Sequence, residues 1–274
     1  MRMNNNPYNI KLVAVDIDGT FMRSDYTYDV PRFKQVLARM REAGCGFVVA
    51  SGNQYYQLRS HFPDYYNELS FVAENGALVK DKEETVFSAN ISREAILKTL
   101  SLCKKYPEIK NVMCGLRSAY CERGTVSDDF FELTNKYYPR LQWVDDLAQV
   151  DDSILKFAPT VPVEKTDYYT ELFKDQLKGL LVPTGSGHGS IDLIVPGCHK
   201  ASGLKRLVKR WNITSEQCVA FGDGNNDIEM LKYSGRGYAM DNASKEVKDI
   251  ADYICPSNND DGVLVTLDKL FPTQ

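Results

Sequence analysis

The chain has 274 residues, of which 43% are apolar and 26% charged; this ordinary globular usage excludes an intrinsically disordered chain. Lys plus Arg (33) against Asp plus Glu (37) leaves a formal charge of −4, so no basic field exists to make nucleic acid a main partner. No window approaches the roughly 18 consecutive apolar residues of a membrane span, and the start Met-Arg-Met-Asn-Asn-Asn-Pro lacks the apolar stretch of a secretory signal.

At about 150 residues per domain, the length predicts roughly two domains. The first element is Lys11–Val15, a β-branched apolar run that reads as a buried strand and ends abruptly in Asp16-Ile-Asp-Gly-Thr20. Phe33, Val36, Leu37 and Met40 have helical spacing behind Pro31, which suits a first turn, and Gly44 can stop that helix. Phe47–Ala50 is a second strand, followed by Ser51-Gly52-Asn53 and another helix; Phe71–Ala73 is a third, followed by Glu74-Asn75-Gly76. Alternating strands and helices imply right-handed crossovers and a mostly parallel sheet, whose ligands sit beyond the carboxyl ends of its strands. Each of these polar clusters follows such an end.

Residues 84–187 read differently. Two helices, 92–105 and 164–177, are each followed by segments with strand character: 112–114, 119–121 and 180–182. Gly115, Gly124 and the glycine-rich tract 183–189 punctuate them, which predicts an α+β insert with an antiparallel sheet. From Ser190 the alternating style returns. Ile191–Val195 reads as a strand, 201–211 as a helix, and Gln217–Phe221 as a strand ending in Gly222-Asp-Gly-Asn-Asn-Asp227. A helix follows to Tyr233, and Tyr253-Ile254 reads as an edge strand. One domain (1–83 and 188–274) is thus interrupted by another (84–187). The cysteines at 45, 103, 114, 121, 198, 218 and 255 are scattered without a Cys-x-x-Cys pair, which fits reduced thiols in the cytoplasm rather than a zinc cluster or disulfide framework.

Asp16 and Asp18 stand two residues apart beyond a buried strand and can face one pocket. Gly19 permits the sharp turn, and Thr20 can hydrogen-bond a neighbouring carboxylate. Such carboxylates repel each other unless a cation or proton intervenes, and a hard cation such as Mg²⁺ is the natural partner; solvated acids in an Asp-Gly turn are the alternative. Gly222–Asp227 is a second acidic, glycine-rich turn after an apolar strand, and reads either as a cation site or as a helix cap. Ser51-Gly52 opens a helix, where backbone N–H groups favour a phosphate, and Lys200 before 201–211 can supply a fixed positive charge. Singly, a helix cap and a solvated surface lysine are the default readings of these two.

The ordered combination is more specific than its parts. Strand then Asp16-x-Asp18-Gly-Thr, strand then Ser51-Gly52, Lys200 before a helix, and strand then Gly222-Asp-Gly-x-Asn-Asp227 resembles the haloacid dehalogenase superfamily, in its Cof-type sugar-phosphatase-like branch. The resemblance covers nearly the whole chain and implies a Rossmann-like core with an inserted C2-type α/β cap domain. It further implies that Asp16 is the nucleophile, forming an aspartyl-phosphate, and that Asp18 is the general acid and then the general base. Mg²⁺ would be held by Asp16, the Asp18 carbonyl and Asp223, with Asp227 behind. Ser51, Gly52, Lys200 and Asn226 match phosphate contacts; Thr20, Asn75 and Gly76 match supporting positions.

The expected activity is phosphate-ester hydrolysis on small phosphorylated metabolites, with sugar phosphates foremost. A phosphomutase shares the aspartyl-phosphate and is the nearest alternative; a non-catalytic phospho-ligand sensor is a third reading. Neither nucleic acid nor membrane is an expected partner, and oligomeric state is not encoded legibly. Asn53 departs from the Arg that many relatives carry after Ser-Gly, which removes one charged contact near the pocket. His188 reads as a hinge, pocket-rim or surface residue. Arg117 and Arg123 read as sugar-phosphate contacts or solvated arginines, and the tyrosine pairs at 55–56, 65–66, 137–138 and 168–169 as packing.

Overall fold

The computed structural model describes residue 6 and residues 8–187 and 189–273, so the reading of His188 lies outside the described residues. Strands β1 (Leu12–Val15), β2 (Gly46–Ala50), β3 (Ser70–Ala73), β4 (Leu78–Asp81) and β5 (Glu84–Ser88) come first. Next are β6 (Met113–Gly115), β7 (Ala119–Glu122), β8 (Leu141–Val144), β9 (Ile154–Phe157), β10 (Val182–Gly187) and β11 (Ser190–Ile194). The last are β12 (Cys218–Gly222), β13 (Arg236–Met240) and β14 (Tyr253–Cys255). They form an eight-stranded sheet, β14-β13-β12-β1-β2-β3-β4-β5, and a separate six-stranded sheet, β10-β11-β9-β6-β7-β8.

The first sheet is parallel from β14 to β3, and β4 and β5 close it as antiparallel strands. Helices α1 (Val30–Glu42) and α2 (Tyr55–Ser60) belong to its first half. Phe33, Val36, Leu37 and Met40 of α1 are buried as their spacing predicts, Pro31 sits in its first turn, and Gly44 takes the left-handed conformation just past its end. The insert supplies α3 (Arg93–Lys104), α4 (Asp128–Asn135) and α5 (Thr166–Gln176); α6 (Lys200–Trp211), α7 (Ile228–Tyr233), α8 (Lys245–Ile250) and α9 (Gly262–Leu270) complete the core domain. Among the described residues no helix is long and apolar enough to cross a membrane. All seven cysteines are free and buried.

The insert's sheet is mixed rather than antiparallel: β7 and β8 run parallel. Parallel neighbours need a crossover, and α4 provides it. The boundaries read at 83/84 and 187/188 each cut a hairpin, because β5 pairs with β4 in the first sheet and β11 pairs with β10 in the second. Glycines and short polar residues obscure β10 in the sequence, yet pairing with the buried β11 makes it a strand, since tertiary pairing overrides weak strand preference. Ile191–Val195 therefore ends the cap rather than reopening the core.

Helix α6 is pressed onto the first sheet at Gly203, where an added Cβ would overlap Val72 Cγ1 of β3. This close approach brings the first residue of α6, Lys200, under the strand ends. Gly203→Ala is expected to lower unfolding free energy by about 1–3 kcal/mol through overpacking. Adding Val72→Ala should recover part of that loss in chemical denaturation; no loss in the single variant would contradict the tight contact.

Candidate active site

The four buried residues of β1 carry the chain directly into Asp16, whose N–H donates to the Phe221 carbonyl at the end of β12 (3.1 Å). The turn beyond is wide, closed by hydrogen bonds five residues apart: Phe21 N–H to Asp16 C=O and Met22 N–H to Ile17 C=O. Gly19 takes φ +72° within it, and a Cβ there would collide with the Asp223 carboxylate. Glycine thus lets two acidic turns from opposite ends of the chain meet. Thr20 Oγ1 donates to Asp223 Oδ1 at 2.6 Å, which ties the turns together.

Lys200 stands at the centre. Its side chain is 1% exposed, and its Nζ lies 2.6 Å from both Asp16 Oδ1 and Asp227 Oδ1. Asp227 Oδ2 accepts from the Asp223 and Gly224 N–H groups at 3.1 and 3.0 Å, so one carboxylate both caps its own turn and anchors the lysine. Burial alone would lower the Lys200 pKa, but Asp16 and Asp227 hold it above the ordinary lysine value.

Asp16, Asp223 and Asp227 each place a carboxylate oxygen within 4.8 Å of the others. Burial pushes the Asp16 carboxyl well above its ordinary range; Lys200 opposes that shift, while Asp227 and Asp223 add to it. Burial likewise raises Asp223, against the Thr20 hydrogen bond. Three clustered carboxylates therefore face a single ammonium, and the excess negative charge on an all-oxygen donor set fits a hard divalent cation.

A second group lines the opening. Asp18 is exposed, and Asn53 Nδ2 donates to its Oδ2 at 2.7 Å. Asn53 N–H donates to Ser51 Oγ (3.1 Å), and Ser51 itself is 2% exposed at the end of β2. The short side chain at position 53 thus contacts the second aspartate directly, a contact the sequence reading did not foresee. Asn226 sits half-buried in the Gly222–Asp227 turn, outside both hydrogen-bonded groups. Asn75 lies beneath Ser51-Gly52, with its amide turned to Asp192 of the cap at 2.9 Å.

The cap approaches the opening through the segment after α4. The Arg140 guanidinium lies 3.6 Å from the Tyr56 ring centroid, and Tyr137 neighbours the exposed Tyr26, whose hydroxyl pKa it raises together with burial and Asp18. Two tyrosines from the pairs read as packing, Tyr56 and Tyr137, therefore make contacts across the domains, with Arg140 and Tyr26 respectively. Arg117 and Arg123 pair with cap acids, Arg117 with Asp151 and Asp152 and Arg123 with Asp145. Lys156 and Asp192 were not singled out in the sequence; the available signal was one charge inside each of the apolar runs Ile154–Phe157 and Ile191–Val195.

Residues 13–267 match a family described as haloacid dehalogenase-like hydrolase. The chain is 41% identical over 262 residues to 5-amino-6-(5-phospho-D-ribitylamino)uracil phosphatase YbjI of Escherichia coli K12, with 96% of each chain covered. The crystal structure of SMU.1108c from Streptococcus mutans UA159 superposes with a TM-score of 0.89 at 38% identity, covering 96% of this chain and 100% of that one. The subclass IIB sugar phosphatase BT4131 shares the fold, with a TM-score of 0.78 at 19% identity over 94% of this chain and 98% of that one. With the core, the inserted cap and the acidic cluster in place, the chain belongs to the haloacid dehalogenase-like hydrolase family, as a phosphatase.

Proposed function

We propose that the protein is a Mg²⁺-dependent phosphatase of small phosphorylated metabolites that works through an aspartyl-phosphate. The observation that carries this reading is the buried Lys200 bridging Asp16 and Asp227 beside Asp223, with Asp18 held at the opening by Asn53. In this reading Asp16 Oδ attacks phosphorus as the ester P–O bond breaks. Asp18 gives its proton to the departing alcohol oxygen. Asp18, now a carboxylate, takes a proton from water, whose oxygen attacks the phosphorus of the aspartyl-phosphate and releases Asp16 and inorganic phosphate. Lys200 holds the nucleophile in place, and Ser51 Oγ, the Gly52 N–H and Asn226 take the phosphate oxygens.

Mg²⁺ would be held by the Asp16 and Asp223 carboxylates and the Asp18 carbonyl, with Asp227 behind, and when bound it supplies the charge neutralisation that lets an anionic nucleophile meet an anionic ester. The cap segment carrying Tyr137 and Arg140 borders the opening, so it selects the leaving group and excludes water. The relative from Escherichia coli is named for a substrate that joins a phosphorylated ribityl chain to a uracil ring. The same compound is the first to test here, alongside sugar phosphates. Buried free thiols agree with a reducing compartment, and we assign the protein to the cytoplasm.

Asp16→Asn is expected to lower turnover by on the order of 10³-fold or more while the protein still unfolds cooperatively, because the nucleophile is lost, the shape is kept and Asp227 remains to pair with Lys200. A phosphate-release assay checks this, and near wild-type turnover would remove the nucleophile assignment. Asp18→Asn should slow aspartyl phosphorylation by alkyl phosphates far more than by p-nitrophenyl phosphate, whose leaving group needs no proton. Equal losses in single-turnover kinetics would remove the acid role. Chelation should stop turnover, and Mg²⁺ should restore it. Isomerised sugar phosphate in place of free phosphate would identify a mutase.

A further inference from the structure

Strand β9 carries a lysine where its neighbours are apolar. Met113 pairs with Phe157, Cys114 with Lys156 and Gly115 with Ile154, which leaves Leu155 as an extra residue on β9. Such a bulge re-aims the side chains beside it. Ile154 and Phe157 remain in the cap's own core, whereas Leu155 packs into the core of the other domain. Lys156, next in line and 3% exposed, crosses the same boundary. Its Nζ donates to the Gly52 carbonyl at 2.7 Å and lies 3.1 Å from both Glu74 Oε2 and Asp192 Oδ1. Burial alone would lower the Lys156 pKa, but Asp192 and Glu74 hold it well above the ordinary value.

These contacts surround the Ser51–Asn53 segment. The Ser51 and Asn53 carbonyls accept from the N–H groups of Asn75 and Glu74, both at 3.1 Å. Glu74 and Asn75 have φ of 51° and 52°, a left-handed backbone that non-glycine residues adopt at a cost and that the surrounding contacts must maintain. The Asn75 amide is held by Asp192, and a Cβ on Gly52 would lie only 3.0 Å from Asn75 Nδ2, so the turn forms the floor of the loop. Both ends of the Gly52–Asn53 peptide are fixed, its carbonyl by Lys156 and its N–H by Ser51 Oγ. Because that hydroxyl already accepts, its proton is available to a ligand oxygen.

We infer that Lys156, steadied by Asp192, is a positioning residue for the Ser51-Gly52 phosphate loop, so that the cap supplies part of the frame of the catalytic site as well as its cover. The inference rests on the phosphatase reading above. Lys156 acts through the Gly52 peptide and does not touch the substrate. An ion cluster that merely joined two domains would affect stability and leave phosphate affinity alone.

The test uses the full chain with Mg²⁺, reading p-nitrophenyl phosphate turnover, inorganic phosphate binding by calorimetry and thermal unfolding. Lys156→Met is expected to lower kcat/KM on the order of 30-fold and to weaken phosphate on the order of 10-fold. Lys156→Met combined with Glu74→Gln removes one cation and one carboxylate together; it should unfold cooperatively and show the same losses. Ser51→Ala added to Lys156→Met should cost far less than Ser51→Ala alone, since both changes act on one phosphate contact. Wild-type phosphate affinity in the charge-balanced variant, or an undiminished Ser51→Ala loss beside Lys156→Met, would overturn the inference. Phosphate binding without any turnover by the wild type would instead overturn the phosphatase reading, and Lys156 would then be judged by the binding data.

Discussion

The site depends on one buried ammonium. Lys200 begins α6, Asp16 follows β1 and Asp227 lies just before α7, so three distant stretches of chain converge on a single ion cluster. Removing one partner of a buried ion pair typically costs about 3–5 kcal/mol, although the intact pair contributes little compared with an apolar replacement. The cluster is therefore a poor device for stability and a good one for placement. It fixes Asp16 against a cation on one side and leaves excess negative charge among Asp16, Asp223 and Asp227 on the other.

That placement is inherited from the direction of the strands. β1, β2, β3 and β12 run parallel, so Asp16, Ser51, Glu74 and Asp223 all emerge at one edge of the sheet. Close backbone approach then replaces side-chain bulk: Gly19 makes room for Asp223, and a Cβ at Gly222 would lie 2.5 Å from Asp227. A chain with a formal charge of −4 can thus bind an anion, because the relevant field is assembled locally from buried groups and oriented N–H donors.

The core strands and the acidic turns were legible because each is local: an apolar run of five residues, then a polar motif of fixed spacing. The order of those motifs also revealed the insertion. What escaped was set by pairing across long separations. The hairpins of β4 with β5 and of β10 with β11 moved both boundaries: the glycine-bearing 182–187 carries little strand signal of its own, and the Thr-Val-Phe run within Glu84–Ser88 does not encode which sheet it joins. The contact from Asn53 to Asp18, and from Lys156 to Gly52, joins residues 35 and 104 positions apart, which no local pattern encodes. Lys156 is also re-aimed by a bulge, and a bulge exists only relative to a partner strand.

The position of β1 has a consequence for how the chain is made. Leu12–Val15 lies between β2 and β12, and its register with Cys218–Phe221 joins the first strand of the chain to one that follows the entire insert. During synthesis β1 to β5 emerge first, with one edge of β1 unpaired. The cap, whose six strands are consecutive in sequence, is then the first unit able to complete its own sheet. The core must wait, exposing an apolar edge meanwhile, until residues 218–222 arrive to cover it. Its slowest requirement is thus a long-range parallel pairing, imposed by the same insertion that brings the cap over the cleft.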